Sequence, residues 1–388
     1  MYSTLVQEIG EAGSIRINQM VYDLKRKGRD ITVLSLGEAF FNIPMFNFGN
    51  LDFEKGYHYS DTQGLPELRS TIARYYQSLY GVNSNPDKNI LVSAGSKIII
   101  YMCMMATVNP GDEVIVHEPY WLSYPEQVKL CHAKPIAIPH WVRGADFKKY
   151  LTNKTKLVIL NNPNNPSGRS YQAEELKQIY ELCRERNIHL LVDEAYSDFC
   201  IRDEFYSAGL LHPEFKNVIV VNSLSKSLGM SGWRIGYMLA HQETIYEVLR
   251  LNQHLITCCP TILASYSAKY FDQILEHTLP QARKVVEKRD RIASYMDNID
   301  LKYLPGSTTF YFFVDIQNSG LSSMDFSMML LEKHGIATVP GSCYGLQTDS
   351  FVRVGIGTES EERIQNALNV IHACCNKTAS KDHEATRT

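Results

Sequence analysis

The sequence lacks several features that would assign it to a membrane, secreted or nucleic-acid-binding class. None of its apolar runs is long enough to span a bilayer, and its N-terminal segment has no basic stretch followed by an apolar one. We therefore expect neither a transmembrane helix nor a secretory signal. The formal net charge is only −3. A balance so close to neutral gives no indication of binding to nucleic acid or to an anionic membrane surface.

Cysteine patterns of metal sites and disulfide frameworks are also missing. The nine cysteines form no Cys-x-x-Cys pair and show no zinc-site spacing. Their number is odd, and neighbouring side chains diverge within the adjacent pairs Cys258–Cys259 and Cys374–Cys375. We therefore expect reduced thiols in a cytoplasmic protein and no bound metal.

Two signatures of nucleotide binding are absent as well. No Gly-x-Gly-x-x-Gly follows the first predicted strands, and no Gly-x-x-x-x-Gly-Lys-Ser/Thr occurs. These absences disfavour a nicotinamide or nucleotide enzyme. The chain also lacks a DNA-binding extension or a basic arm.

What the sequence does contain is the pattern of an α/β enzyme. Hydrophobic residues make up 44% and charged residues 21% of the 388 residues, which is ordinary for a globular enzyme with one large and one smaller domain. Five continuous apolar runs predict buried strands at residues 89–94, 112–119, 155–163, 188–196 and 217–223. Helical spacing separates them at residues 95–111, 124–133 and 172–187. This order predicts a mostly parallel central sheet flanked by helices.

A different pattern follows in the last third of the chain. Charged helical stretches at residues 242–253 and 277–297 precede mixed segments at 307–316, 324–335, 349–357 and 361–375. We therefore predict a smaller α+β domain after the large one. The predicted division is an N-terminal segment packing with the small domain (1–35), a large domain (36–275), a small domain (276–375) and a disordered polar tail (376–388).

Polar residues and one glycine gather at the ends of four of the predicted strands or just after them. They are Gly95, Ser96, Lys97, Asn165, Asp193, Tyr196, Ser223 and Lys226. Ligands of open α/β sheets bind at the carboxyl ends of the strands, so we expect these residues to meet in one cleft.

Each of these groups has a role if the ligand is a phosphorylated pyridine aldehyde. A partly desolvated Lys226 amine can form a Schiff base with the aldehyde. Asp193 can keep the pyridine nitrogen protonated, which makes the ring an electron sink. Tyr196 and Asn165 can hydrogen-bond the phenolic oxygen of the ring.

The phosphate of such a ligand also finds partners in the sequence. Gly95, Ser96 and Lys97 open a predicted helix, whose free N–H groups and dipole suit a dianion. Ser223 and Arg234 add a hydroxyl and a fixed cation.

Eight segments in a fixed order carry a resemblance to a known family. They read YSDTQGLPELR (59–69), SAGSK (93–97), NPGDEVIVHEPYWLSYPEQV (109–128), NNPNNPSG (161–168), VDEAYSDF (192–199), SLSKSLGMSGWRIGY (223–237), VPGSCYG (339–345) and FVRVGIG (351–357). Together they run over almost the whole chain. The sequence resembles the class I/II (fold-type I) pyridoxal-phosphate-dependent aminotransferases, in the branch that holds aspartate, aromatic and kynurenine aminotransferases.

The resemblance implies a role for individual residues. Lys226 would carry pyridoxal 5′-phosphate as a Schiff base and act with Asp193 and Tyr196 in catalysis. Trp121 would stack on the ring and border the substrate. Arg353 would grip the substrate α-carboxylate, for which a bidentate guanidinium is well suited.

Three further residues complete the implied site. Gly37 would offer a backbone contact near the substrate carboxylate, and Asn165 would face both cofactor and substrate. Tyr59 would reach the phosphate in a neighbouring subunit, which implies a homodimer with shared active sites.

One segment departs from the family pattern. The stretch GEAFF (37–41) stands where relatives usually have GEPDF. Phe40 and Phe41 would make the substrate entrance more aromatic, although packing against the small domain explains them equally well. No arginine or lysine is evident as the partner of a distal carboxylate, so the amino donor and the oxo-acid acceptor stay open.

Three functions are compatible with these residues. The first is an aminotransferase that moves an amino group from an amino acid to a 2-oxo acid. The second is a pyridoxal-phosphate-dependent eliminase or cyclodehydratase acting on a specialised amino acid, because these reactions use the same lysine, aspartate and arginine. The third, a non-catalytic pyridoxal-phosphate-binding protein, is disfavoured because every catalytic position is filled.

Overall fold

A computed structural model describes residues 2–200 and 205–376 of the chain. In this part, helices α1 to α12 span Thr4–Glu8, Gly13–Arg26, Phe53–Gly56, Pro66–Tyr80, Ser96–Thr107, Ser123–Leu130, Ala173–Glu185, Leu224–Ser227, Gln242–Leu255, Thr261–Asn298, Ser323–His334 and Glu361–Asn376. Strands β1 to β12 span Thr32–Val33, Ile90–Ser93, Glu113–His117, Lys134–Ile138, Thr155–Asn161, His189–Asp193, Val218–Ser223, Gly236–Ala240, Tyr311–Asp315, Ile336–Ala337, Val339–Pro340 and Phe351–Gly355.

The central sheet has seven strands in the order β2-β8-β7-β6-β5-β3-β4. All neighbours run parallel except β8, which is antiparallel to both β2 and β7. The five predicted strands correspond to β2, β3, β5, β6 and β7, and the mostly parallel sheet flanked by helices is confirmed. Strands β4 and β8 were not predicted.

Both faces of this sheet are covered, which explains why its strands are continuous apolar runs. Within β5, Val158 and Leu160 pack with α4, α7 and the first half of α10 on one face. Leu157 and Ile159 pack with α5, α6 and α9 on the other. Buried parallel strands need apolar side chains on alternate sides, and the sequence supplies them.

A further hydrophobic cluster lies around an antiparallel sheet of order β11-β12-β9. It contains residues of α11, α12 and the second half of α10. Helix α10 runs through the proposed boundary between residues 275 and 276. Ile274 lies in the cluster that packs α4 and α7 on the central sheet, and Ala282 lies in the cluster around β11, β12 and β9. The predicted helix at 277–297 is thus the second half of a longer one.

The N-terminal segment packs beside the cluster around β11, β12 and β9. Strand β1 pairs in parallel with β10. Ile17 and Val21 of α2 pack with Leu331 and Ala337. These contacts support the proposal that residues 1–35 associate with the small domain. At the other end, Asn376 closes α12, and the predicted tail beyond it lies outside the described residues.

The parallel strands bring the site residues to one edge. Asn161 at the end of β5 pairs with Asp193 at the end of β6, which in turn pairs with Val221 of β7. The segments after these strands therefore leave the sheet side by side. Among the residues described, no helix is both long and apolar enough to cross a membrane.

Candidate active site

A cavity of about 600 Å³ opens at the carboxyl ends of these strands. Its lining includes Gly37, Glu38, Ser96, Lys97, Trp121, Asn165, Asp193, Tyr196, Ser223, Ser225, Lys226, Ser231, Arg234 and Tyr311. The cavity therefore contains every residue that the sequence analysis placed in the site except Gly95, Arg353 and Tyr59.

Lys226 lies in α8, the short helix that follows β7. Its Nζ donates a hydrogen bond of 2.6 Å to the carbonyl oxygen of Gly37. Burial lowers the pKa of the Lys226 amine to about 8, although the nearby Glu38 carboxylate opposes this shift. A neutral, nucleophilic amine is therefore accessible close to neutral pH.

Asp193 is a buried carboxylate at the end of β6. Its Oδ2 accepts a hydrogen bond of 2.7 Å from the hydroxyl of Tyr124, and its Oδ1 accepts one of 3.1 Å from the N–H of Ala195. Burial raises the pKa of Asp193 to about 6, and these hydrogen bonds hold it from rising further. No ion pair of the described residues includes this carboxylate, although the charge of Lys226 lowers its pKa, so its charge is available to a ligand in the cavity.

Three polar side chains form a chain of contacts opposite Lys226. The Nδ2 of Asn165 donates to the Tyr196 hydroxyl at 3.2 Å. The Tyr196 hydroxyl also lies 3.0 Å from that of Tyr311. This arrangement presents a phenol to the cavity with its oxygen already held in place.

Arg353 lies on β12, behind Asn165 and Tyr311. Its Nη2 donates to the carbonyl oxygen of Ser35 at 2.7 Å, and its Nη1 to Oδ1 of Asn165 at 3.3 Å. It is buried, yet no carboxylate of the described chain lies within ion-pair distance of it. A buried guanidinium without an anionic partner is suited to bind an anionic ligand.

The other end of the cavity is cationic. Gly95 has a φ of +99° immediately before α5, and a Cβ atom there would lie 2.5 Å from Nη2 of Arg234. Arg234 also has a positive φ of 56°, and its Nη1 donates to the carbonyl oxygen of Ser231 at 2.8 Å. Glycine thus lets the guanidinium lie against the start of a helix.

Two further pairs border this end. The Ser223 side chain accepts a hydrogen bond of 3.3 Å from the N–H of Ser225, capping α8. Lys97 Nζ lies 4.9 Å from the centre of the Trp121 ring. Burial lowers the pKa of Lys97, and the charge of Arg234 adds to this shift.

Several residues of the site were not predicted. Tyr124, which donates to Asp193 but does not line the cavity, fell inside the predicted helix at 124–133. Tyr311, which lines the cavity, fell inside an apolar run, so both resembled core aromatics. Glu38, whose carboxylate contacts the hydroxyl of Ser231, was quoted only as part of a motif. Ser225 lay within the motif of Lys226 without a role.

Tyr59 lies away from this cavity. Its side chain is 86% exposed, and it borders a separate cavity of about 700 Å³ with His58 and Asp61. Neither Phe40 nor Phe41 lines the active-site cavity either. Phe41 stacks on Phe199 with ring centres 6.0 Å apart, in agreement with the packing interpretation.

Comparisons with known proteins identify the family of this chain. The sequence model of the family "Aminotransferase class I and II" matches residues 24–371. A probable aspartate/prephenate aminotransferase of Aquifex aeolicus is 32% identical, with 94% of this chain and 96% of that protein covered. The structure of Thermus thermophilus aspartate aminotransferase with maleate superposes with a TM-score of 0.86 at 27% identity, covering 96% of this chain and 99% of that one.

A further solved structure, an aromatic aminotransferase from Pyrococcus horikoshii, superposes with a TM-score of 0.84 at 27% identity, covering 92% of this chain and 99% of that one. The family match spans most of the chain, and these neighbours share its fold-type I architecture. The chain therefore belongs to the class I and II aminotransferase family and is an aminotransferase.

Proposed function

We propose that this aminotransferase uses pyridoxal 5′-phosphate, held between Lys226 and Asp193, to move an amino group from an amino acid to a 2-oxo acid. The observation that carries the proposal is that an amine with a lowered pKa and a buried, unpaired carboxylate face the same cavity. An amine can bond an aldehyde carbon, and a carboxylate can pair with a protonated ring nitrogen.

The residues present fit this cofactor at its other groups. Arg234, Ser223 and the N-terminus of α5 form a cationic, hydrogen-bonding end that suits a phosphate dianion. The Tyr196 hydroxyl and the Asn165 amide face the cavity where a phenolic oxygen needs donors. Trp121 supplies an aromatic face at the border of the cavity.

When bound, the cofactor supplies an aldehyde and a protonated ring that accepts electrons from the substrate α-carbon. Lys226 removes the proton from that carbon and returns it during the transfer. Burial suits the amine for this work, because a pKa of about 8 lets it both take and give a proton near neutral pH. Asp193 remains ionised above its pKa of about 6 and keeps the ring protonated.

Arg353 orients the substrate through its α-carboxylate. The Nη1 contact with Asn165 is 3.3 Å long, so it is the weaker of the two hydrogen bonds described for Arg353 and the easier to exchange for a carboxylate oxygen. Gly37 lies next to this region with its carbonyl oxygen bound to Lys226. The relatives described above are named as aspartate, aspartate/prephenate and aromatic aminotransferases, so we propose aspartate or an aromatic amino acid as the amino donor.

We also propose a homodimer in the cytoplasm. The exposed Tyr59 has no place in the site of its own chain, and a second copy would bring it to the phosphate end of the partner site. The cytoplasmic location rests on the expectation of reduced thiols.

The proposal is tested by mixing purified, cofactor-loaded protein with aspartate or an aromatic amino acid and no acceptor. We expect a stoichiometric change of the cofactor to its amine form, reversed by a 2-oxo acid. Continuous release of ammonia would instead identify an eliminase. The Lys226→Ala variant serves as the control, because it should lose the visible absorbance of lysine-bound cofactor.

A further inference from the structure

Tyr311 touches three parts of the site at once. Its hydroxyl lies 3.0 Å from the hydroxyl of Tyr196. The guanidinium carbon of Arg353 lies 4.5 Å from the centre of its ring. A Cβ atom on Gly37 would lie 3.3 Å from the same hydroxyl, so the glycine backbone packs against it. Asn165 also contacts both the phenol and the arginine, but Tyr311 does so with a hydroxyl that can donate to Tyr196 and a ring that faces Arg353.

The proton between the two tyrosines decides what Tyr196 offers to a ligand. A phenol oxygen donates one hydrogen bond and accepts up to two. Tyr196 already accepts one from Nδ2 of Asn165. If Tyr311 donates the second, the acceptor capacity of Tyr196 is filled and its own O–H proton is left for the cavity. If Tyr196 donates to Tyr311 instead, that proton is not available to a ligand.

The surroundings favour Tyr311 as the donor. A cation over the face of a phenol ring withdraws electron density and makes its O–H a stronger donor. Burial raises the pKa of Tyr311, and the charge of Arg353 opposes that rise. Burial raises the pKa of Tyr196 well above its usual value and Tyr311 adds to that rise, whereas the charge of Arg353 opposes it. The stronger acid of a pair is the one that donates.

We propose that Tyr311 is a positioning residue: its hydroxyl donates to Tyr196, which directs the Tyr196 proton at the phenolic oxygen of the cofactor, while its ring supports Arg353. The inference rests on the proposed function, because it assumes the cofactor in this cavity. It links the two halves of the site, so that a carboxylate bound at Arg353 changes how well Tyr196 donates.

Two substitutions separate the two contacts. Tyr311→Phe removes the hydroxyl and keeps the ring beneath Arg353, whereas Tyr311→Leu removes both. Tyr344→Phe is the matched control, because its ring also lies near Arg353, at 5.5 Å, and its hydroxyl makes no hydrogen bond with Tyr196. The first measurement is the pH titration of the absorbance of bound pyridoxal 5′-phosphate. The second is the dissociation constant of two unreactive carboxylates, succinate and 3-phenylpropanoate.

A donor to the phenolic oxygen favours the deprotonated form of the bound cofactor. We therefore expect Tyr311→Phe to strengthen proton binding by about threefold to tenfold, the worth of one neutral hydrogen bond. The carboxylates should bind this variant within about twofold of the parent, and Tyr311→Leu about threefold to tenfold more weakly, since it loses the cation–π contact.

An unchanged titration in Tyr311→Phe, or an equal shift in Tyr344→Phe, would overturn the inference while leaving the proposed function intact. A parent protein that binds pyridoxal 5′-phosphate with no titrating absorbance would overturn the proposed function itself. The two failures are therefore distinguishable in one set of titrations.

Discussion

The hydroxyl of Tyr124 donates a hydrogen bond of 2.7 Å to Oδ2 of Asp193, and both side chains are buried. Strand β6 ends at Asp193, and α6 supplies the phenol of Tyr124. This contact holds Oδ2 and the N–H of Ala195 holds Oδ1, so the carboxylate is fixed in position at the border of the cavity. A hydrogen bond of this kind to a charged group is stronger than one between neutral groups.

Tyr124→Phe should make cofactor binding more sensitive to acid. The hydrogen bond from Tyr124 opposes the rise that burial causes in the pKa of Asp193, so its loss should move that pKa above about 6. The ionised carboxylate then disappears at a higher pH, and the affinity for pyridoxal 5′-phosphate falls with it. We expect a loss of about twofold near neutral pH that grows to about tenfold near pH 5, measured by calorimetric titration from about pH 5 to about pH 8.

Tyr120→Phe is the control for this effect. Tyr120 lies four residues before Tyr124 in the sequence and is also buried, but its hydroxyl makes no hydrogen bond with Asp193. It should leave the pH dependence of cofactor binding unchanged. A shift of the same size in both variants would mean that Asp193 responds to general packing and not to the Tyr124 hydrogen bond.

Capture of the cofactor by the apo-protein should accelerate as the pH rises through about 8, the lowered pKa of Lys226. Only the neutral amine attacks an aldehyde, and the neutral fraction grows above the pKa. The Glu38 carboxylate opposes the lowering that burial causes. Glu38→Gln should therefore move the midpoint to lower pH while still accepting the hydrogen bond from Ser231. Stopped-flow absorbance gives the rate, and an unmoved midpoint would contradict the role assigned to Glu38.

Gly95→Ala should weaken cofactor binding more than it weakens the fold. A Cβ atom there meets Nη2 of Arg234 at 2.5 Å, and the φ of +99° is unfavourable for alanine. Gly81 has a φ of +72° with no atom within 4 Å of a Cβ, so Gly81→Ala shows the cost of a positive φ without a clash. Gly81→Ala should lose about 1–2 kcal/mol of unfolding free energy. Gly95→Ala should lose more, because a φ of +99° with a ψ of 157° lies in a region nearly restricted to glycine.

Only Gly95→Ala should lower the affinity for pyridoxal 5′-phosphate. Thermal unfolding and calorimetric titration of the same samples measure the two effects. Equal affinity losses in the two variants would show that Arg234 does not hold the phosphate.

Tyr59 should complement Lys226 across subunits. A dimer of one Lys226→Ala chain and one Tyr59→Ala chain has one site with an intact lysine and a partner tyrosine that is also intact. Mixing the two inactive proteins under exchange conditions should restore about a quarter of the parent activity, because about half of the dimers are mixed and each has one good site. No recovery after confirmed exchange would mean that Tyr59 serves its own chain or neither.

The central sheet could be predicted because buried parallel strands require continuous apolar runs. Strand β8 was not predicted, because its residues 236–240 overlap the end of the motif at 223–237 and form only a short apolar run. Its antiparallel direction depends on pairing with β2 and β7. Strand β4 contains Pro135 and lies at the edge of the sheet, where the apolar pattern is weaker.

The site was predictable where a polar residue stood in an otherwise apolar or glycine-rich context, as Lys226 and Asp193 do. Tyr311 could not be recognised, because a phenol in the run FYFFV has the same pattern as a core aromatic. Its proximity to Arg353 comes from the register of β9 with β12, in which Tyr311 pairs with Gly355. Pairing between strands that are distant in sequence leaves no mark in local composition.

Helix α10 belongs to two hydrophobic clusters. Tyr270 lies in the one that packs α4 and α7 on the central sheet, and Ile292 lies in the one around β11, β12 and β9. If either cluster melted alone, half of this 38-residue helix would lose the packing that stabilises it, and an unsupported helical segment is marginal in water. Pro280 near its middle removes one backbone hydrogen bond and adds to that dependence. The two cores are thus thermally linked, so calorimetry of the intact chain should record one endotherm where separate domains would record two.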